Sequence, residues 1–237
     1  MQRTLRDAAG FPSSQATRHE NSDDEQHARM SEAPPQVFLV RHGETAWTLS
    51  RQHTGRTDIP LTAQGERDAQ ALGARLQGMH FTTVLSSPLQ RARRTAELAG
   101  FGERVATDAD LMEWNYGEYE GRRTSDIRTG RPGWRLFEDG CPGGETVLDL
   151  GTRADRVIAR IRAISGDVLL FAHRDILRVL AVRWIFLPAR AAQRFSLETT
   201  SLSILGYDHN RDDPVIRMLN DARREPWPIR KPSREHT

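Results

Sequence analysis

Three short apolar runs constrain what this chain can fold into: Val37-Phe-Leu-Val-Arg41, Thr83-Val-Leu-Ser86 and Asp167-Val-Leu-Leu-Phe-Ala172. Each reads as a buried strand, because apolar residues follow one another instead of alternating with polar ones. Segments of helical periodicity lie between them. Thr62 is placed to cap a helix in which Ala69, Leu72 and Leu76 share one face. Pro88 suits the first turn of a helix running to about Leu98. Thr146 to about Ile164 is amphipathic, with Leu150, Val157, Ile158 and Ile161 as its apolar stripe, and Gly166 ends it. Arg174 to Phe186 reads as helical until Pro188, and Leu202–Tyr207 and Val215–Leu219 predict a closing pair of strands. Strands alternating with helices imply an α/β fold, a three-layer α/β/α sandwich with a mostly parallel central sheet. Ligands of such sheets sit at the carboxyl ends of the strands.

At 237 residues the chain suits one sizeable domain, which the pattern places at residues 36–222. Residues 1–35 are polar and without periodicity. The stretch from His19 to His27 cannot bury enough surface to offset its ordering entropy. This segment is expected to be a disordered tail, or to lie upstream of a start at Met30. Residues 223–237, with Pro226, Pro228 and Pro232 among many charges, read as a second loose tail. No internal repeat is evident. The formal charge is +2 from 34 basic and 32 acidic groups, and no nucleic-acid partner is expected. All basic residues but Lys231 are Arg, a bias that suits bidentate contacts to anions but selects no ligand by itself. A lone cysteine, Cys141, excludes an intramolecular disulfide and argues against a thiolate metal site. No run of ~18 apolar residues and no secretory leader is present, so a reduced, cytoplasmic, soluble protein is expected. A homodimer is an open alternative to a monomer.

The chemistry-bearing residues fall at strand ends. Val40-Arg41-His42-Gly43 sets a fixed cation beside an imidazole, and Gly43 removes a side chain where backbone could approach a ligand. Ser87-Pro-Leu-Gln-Arg91 repeats the arrangement of strand end, turn, helix start and arginine, a natural anion site. His173 ends the third strand. Two histidines and two arginines converging there suit a dianionic phosphoryl group.

Together, Arg41-His42-Gly43-Glu44-Thr45, Thr54-Gly-Arg-Thr-Asp-Ile-Pro-Leu-Thr62, Ser87-Pro-Leu-Gln-Arg-Ala92, Glu113-Trp-Asn-Tyr-Gly117 and Pro142-Gly-Gly-Glu-Thr146 run in order before His173. This series resembles the phosphoglycerate mutase-like branch of the histidine phosphatase superfamily, from about Val37 to Asn220. Arg-His-Gly alone carries little weight; five blocks in order carry much. The pattern is closest to bacterial acid phosphatases of that branch. The resemblance implies a phosphomonoester hydrolase acting on a small phosphorylated metabolite. His42 is similar to the family's nucleophile, which becomes a phosphohistidine. Arg41, Arg91 and His173 match the residues that hold the phosphoryl oxygens. Glu113 matches the proton donor to the leaving oxygen. Thr48, Thr54, Gly55 and Tyr116 complete the implied substrate-binding set. No cofactor and no metal is implied, because the arginines supply the positive charge.

The chain also departs from the family pattern. Arg174-Asp175 follows His173 where glycine is usual, and Thr48 stands where mutases usually have Asn. The mutase Lys near Thr124 and the mutase Arg-Arg insertion are not recognisable. A phosphoglycerate mutase and a catalytically inactive phospho-ligand binding protein therefore stand as alternatives to the phosphatase. Three further patterns are set aside. His173-Arg-Asp175 mimics a kinase catalytic loop but has Leu180 in place of Asn. Cys141-Pro-Gly-Gly144 lacks the Lys-Ser/Thr of a P-loop. His19, His27, His53, His80, His209 and His236 lack zinc-ligand spacing and read as solvated or packed.

Overall fold

The computed structural model describes residues 34–223, so the expectations for residues 1–33 and 224–237 lie outside the described residues. In chain order come β1 (Val37–Arg41), α1 (Ala46–Ser50), α2 (Ala63–Leu76), β2 (Thr83–Ser86) and α3 (Gln90–Ala96), which a π-helical turn over Glu97–Phe101 continues. There follow β3 (Val105–Thr107), α4 (Thr124–Gly130), α5 (Leu136–Asp139), α6 (Val147–Arg162), β4 (Val168–Ala172), α7 (Arg174–Trp184), β5 (Leu202–Tyr207) and β6 (Pro214–Asp221).

The sheet order is β3-β2-β4-β1-β5-β6. β3, β2, β4 and β1 are parallel, and β5 is antiparallel to both of its neighbours. β5 alone therefore runs against the rest, which makes a mixed sheet with a parallel centre. Apolar residues alternate between its faces. Val37 and Leu39 of β1 join Leu170 and the α6 and α7 residues Leu150, Val157, Ile176 and Val179 in one core. Phe38 and Val40 join Leu169, Phe171, Leu72 and Leu76 of α2, and Phe101 in the other. Both faces are covered, which is why the central strands read as continuous apolar runs.

The helix starts follow capping chemistry. The Thr62 hydroxyl accepts from the Gly65 amide, and Thr146 forms a capping box with Asp149. Pro88, by contrast, lies outside its helix: α3 starts at Gln90 after the N-cap Leu89, whose backbone is extended. The α7 helix stops at Trp184, and Phe186 takes a left-handed conformation with φ 63°. Among the described residues no helix is long and apolar enough to cross a membrane.

Candidate active site

The parallel centre brings three strand ends together. β1 and β4 are in register with Arg41 opposite Ala172, and β2 and β4 with Ser86 opposite Phe171. The amides of His42 and Ser87 extend the ladder by donating to the carbonyls of Ala172 and Phe171, both at 2.9 Å. His42, Ser87 and His173 thus follow three adjacent strands at one edge of the sheet.

His42 is 3% exposed, and its Nδ1 lies 2.7 Å from the Gly43 carbonyl oxygen. A carbonyl can only accept, so this bond places the imidazole proton on Nδ1 and leaves the Nε2 lone pair free. Burial, then the charges of Arg91 and Arg41, hold the ring's pKa well below the ordinary histidine value. The ring is therefore neutral at neutral pH, with the Nε2 lone pair available. Gly43 has a different reason from the one expected. A Cβ there would come within 2.7 Å of the Gly65 carbonyl oxygen, so glycine lets the loop after β1 pack on the start of α2.

Arg41 donates from Nη1 to the Leu197 carbonyl at 2.5 Å, and burial with the neighbouring charge of Arg174 pushes its pKa down to about 10. Arg91 is fully buried and is held by the carbonyls of Thr57, Thr54 and Gly55 at 3.0, 3.1 and 2.8 Å. His173, also fully buried, shares its Nε2 with the Ser87 hydroxyl at 2.8 Å, and its ring centroid is 5.1 Å from that of His42. Its pKa is well below the usual value, through burial first and then Arg91. Arg41 Nε, Arg91 Nε and His173 Nδ1 are buried without a hydrogen-bond partner among the described residues. Four further buried atoms, Arg75 Nε, Arg162 Nε, Arg178 Nε and Ser201 Oγ, are without a partner likewise, and five of the seven are guanidinium Nε atoms.

Glu113, 4% exposed, lies on the loop after β3. Its carboxylate accepts from the amides of Trp114 at 2.9 Å, Asp175 at 3.1 Å and Ile176 at 3.2 Å. Burial, then the nearby Asp175 charge, raises its pKa above the ordinary glutamate value. One guanidinium fixes this loop. Arg153 of α6 donates to the carbonyls of Asp110, Met112 and Glu113 and pairs with both oxygens of Glu145 at 2.7 and 2.9 Å. Glu145 also accepts from the Asn115 amide at 2.8 Å, and its own carbonyl takes the Trp114 indole N–H at 2.8 Å. The Gly-Glu-Thr block is thus the clamp that holds the Glu113 loop, a role that nothing in its sequence discloses.

Asp175 is fully buried and accepts from the Tyr116 hydroxyl at 2.5 Å, from Arg174 Nε at 3.2 Å and from Arg178. Burial opposes its ionisation, but Arg178 and Arg174 outweigh it and keep the carboxyl well below the usual range. Tyr116 in turn packs on His53, with ring centroids 4.7 Å apart and planes tilted by 43°, and burial followed by Asp175 pushes the phenol well above its ordinary pKa.

A pocket of about 870 Å³ opens above His42 and Arg41, lined among others by Thr48, His53, Thr54, Glu113, Tyr116 and Arg174. Arg91 and His173 are not part of its lining. The hydroxyl of Thr48 donates to the Thr45 carbonyl and accepts from the Thr45 amide, so its polar atom is engaged in capping α1. Gly55 is not at the wall either. Its amide donates to Glu120, and a Cβ would meet Glu120 Oε1 at 2.0 Å. His53, read as packed or solvated, is packed, but in the pocket wall, with Nε2 3.2 Å from the Thr124 hydroxyl. Its place beside Thr54-Gly55 was the only signal. Ser87 lies in the Ser87–Arg91 block, whose sequence assigns its hydroxyl no role; in the structure that hydroxyl meets His173 Nε2. Among the described residues no group of three His, Cys, Asp or Glu side chains gathers as a metal site.

The family model for the histidine phosphatase superfamily, branch 1, matches residues 37–222. This chain belongs to that superfamily. Histidine phosphatases similar to it include an acid phosphatase of Mycobacterium tuberculosis, 38% identical over 177 residues that cover 73% of this chain and 87% of the relative. A sedoheptulose 1,7-bisphosphatase of Saccharomyces cerevisiae is 35% identical over 188 residues, 65% of this chain and 69% of the relative. The solved structure of an open reading frame product of Mycobacterium tuberculosis matches with a TM-score of 0.73 and 35% identity, over 79% of this chain and 97% of that one. The blocks around His42, Arg91, Glu113 and His173 all fall inside the matched histidine phosphatase region.

Proposed function

We propose that this histidine phosphatase is a phosphomonoester hydrolase that acts on a small phosphorylated metabolite through a phosphohistidine at His42. The observation that carries the reading is the Nδ1 contact of His42 with the Gly43 carbonyl, 2.7 Å, in a ring kept neutral beside two guanidiniums. Nε2 attacks phosphorus in line; the P–N bond forms as the bond to the leaving oxygen breaks. Arg41, Arg91 and His173 stabilise the charge spread over the equatorial oxygens. Glu113 gives its proton to the leaving oxygen, and the carboxylate that remains takes a proton from the water that attacks the phosphohistidine. The P–N bond then breaks, inorganic phosphate leaves and the neutral imidazole returns. The Glu113 environment supports both halves: burial favours the protonated acid, and the α7 amides support the carboxylate. An acid phosphatase and a bisphosphatase among the relatives support hydrolysis, while probable phosphoglycerate mutases of Salmonella, 34% identical over 186 residues that cover 74% of this chain and 86% of the relative, make transfer to a second hydroxyl the rival that phosphate release has to exclude.

The test is to trap the intermediate. Incubation with a phosphomonoester labelled in its phosphoryl group, followed by alkaline denaturation, is expected to leave an acid-labile label on His42 and to release inorganic phosphate without an isomerised product. Folded His42→Ala should carry no label and lose about a thousandfold or more in turnover. A labelled His42→Ala, or its near-normal turnover, would overturn the assignment.

A further inference from the structure

We propose that Arg174 forms a subsite for a second anionic group, carboxylate or phosphoryl, so that this protein selects phosphomonoesters that carry one. The proposal rests on the phosphatase reading and names the substrate class that reading leaves open.

Arg174 is the first residue of α7 and lines the same pocket as His42. Its side chain is 40% exposed, whereas that of the neighbouring Asp175 is wholly buried. Only Nε is tied down, on Asp175 Oδ1 at 3.2 Å. The terminal nitrogens have no hydrogen-bond partner among the described residues. Asp175 is already served by Tyr116 and Arg178, and Arg178 is further fixed by the Phe195 carbonyl at 2.8 Å and the ring of Phe137. Arg174 is therefore an anchored guanidinium whose outer edge is open to the pocket, a shape suited to bidentate binding of carboxylate or phosphate.

The pocket that Arg174 lines is rich in cations: Arg41, Arg51, Arg123 and Arg128 border it as well, against the carboxylates of Glu44, Glu113 and Glu198.

Phosphonates test this without turnover, because their C–P bond is not a substrate for hydrolysis. Calorimetry on the full chain at fixed ionic strength compares propylphosphonate with 3-phosphonopropionate, 4-phosphonobutyrate and propane-1,3-bisphosphonate. The wild type is expected to bind at least one of the doubly functional probes about tenfold or more tightly than propylphosphonate. The tighter arm, carboxylate or bisphosphonate, identifies the second group. Arg174→Gln is expected to bring that preference down to about twofold or less, and Arg174→Lys to keep an intermediate value, since it retains charge but not the fork. No preference in the wild type, no binding of any probe, or a preference that survives in Arg174→Gln would overturn the subsite. Failure to release phosphate from any phosphomonoester would instead overturn the phosphatase reading and leave these affinities standing.

Discussion

The backbone amide of Asp175 donates to both carboxylate oxygens of Glu113, each at 3.1 Å, so the acid of one loop rests on the first turn of the helix that follows His173. The geometry opposes two influences on one proton. Burial and the Asp175 charge favour the neutral acid, while amides at a helix N-terminus favour the anion. A group balanced in this way can give up a proton and take one back.

The pH dependence follows from the two shifts. His42 is depressed below the usual 6.5 and must be unprotonated to attack, so activity on the acid side should persist to a pH lower than an ordinary histidine allows. Glu113 is raised above 4.5 and must be protonated to donate, so activity should fall as pH rises through that raised value. Profiles of kcat/KM, which report the free enzyme, are expected to peak below neutrality for alkyl phosphates. An optimum on the alkaline side would reject the pairing of roles.

Replacement of the acid should be felt according to the leaving group. Glu113→Gln is expected to slow an alkyl phosphate about a hundredfold or more, and p-nitrophenyl phosphate far less, because nitrophenolate departs without a proton. The alkaline limb of the profile should also flatten. Equal losses on the two substrates, measured as kcat, would exclude proton donation by Glu113.

Arg153 should act at a distance on the same loop. Arg153→Met leaves Glu145, whose side chain is 15% exposed, with Arg56 at 3.7 Å and the Asn115 amide as its partners, and removes three carbonyl contacts along the loop. Loss of about 2–3 kcal/mol in urea unfolding is expected, since the near, bidentate partner of a mostly buried carboxylate is gone. The double variant Arg153→Met/Glu145→Gln should recover part of it. Additive losses in the double-mutant cycle would show that the pair is not coupled.

Two glycines offer a contrast in sterics. Gly55→Ala would drive a Cβ to 2.3 Å from the Trp114 carbonyl oxygen, whereas at Gly130, the last residue of α4, a Cβ meets nothing within 4 Å. Gly55→Ala should cost about 1–3 kcal/mol, as overpacking does. Gly130→Ala should be neutral or gain a few tenths through helix propensity. Thermal melts of the two variants settle the comparison, and similar melting temperatures would refute it.

The parallel centre of the sheet could be read from residues because burial on two faces leaves unbroken apolar runs at Val37, Thr83 and Asp167. The cap at Thr62 was legible for a similar reason: its chemistry is local. β3 was not, since Val105–Thr107 is a short edge strand with a half-buried valine and two exposed residues. Nor were α1, α4 and α5, each seven residues or fewer and held by tertiary contacts more than by periodicity. In the site, His42, Arg41 and Glu113 announce themselves by motif. Arg153, Asp175 and the Ser87 hydroxyl do not, because their importance comes from partners between 40 and 86 residues away in sequence.

The direction of the strands also decides where the chain can be handled. β1 runs toward the edge that carries His42, so the backbone enters it at Val37 from the opposite side of the sheet. β6 runs the same way as β1, and its last residue, Asp221, pairs with Leu202, which is opposite Val40. The chain therefore leaves β6 level with His42, where Asn220 bonds the Glu198 amide of the pocket rim at 2.6 Å. An affinity tag or immobilising linker joined before Val37 departs from the quiet edge of the molecule. One joined just after Asp221 starts beside the substrate's doorway, and would compete with the ligand for the same space.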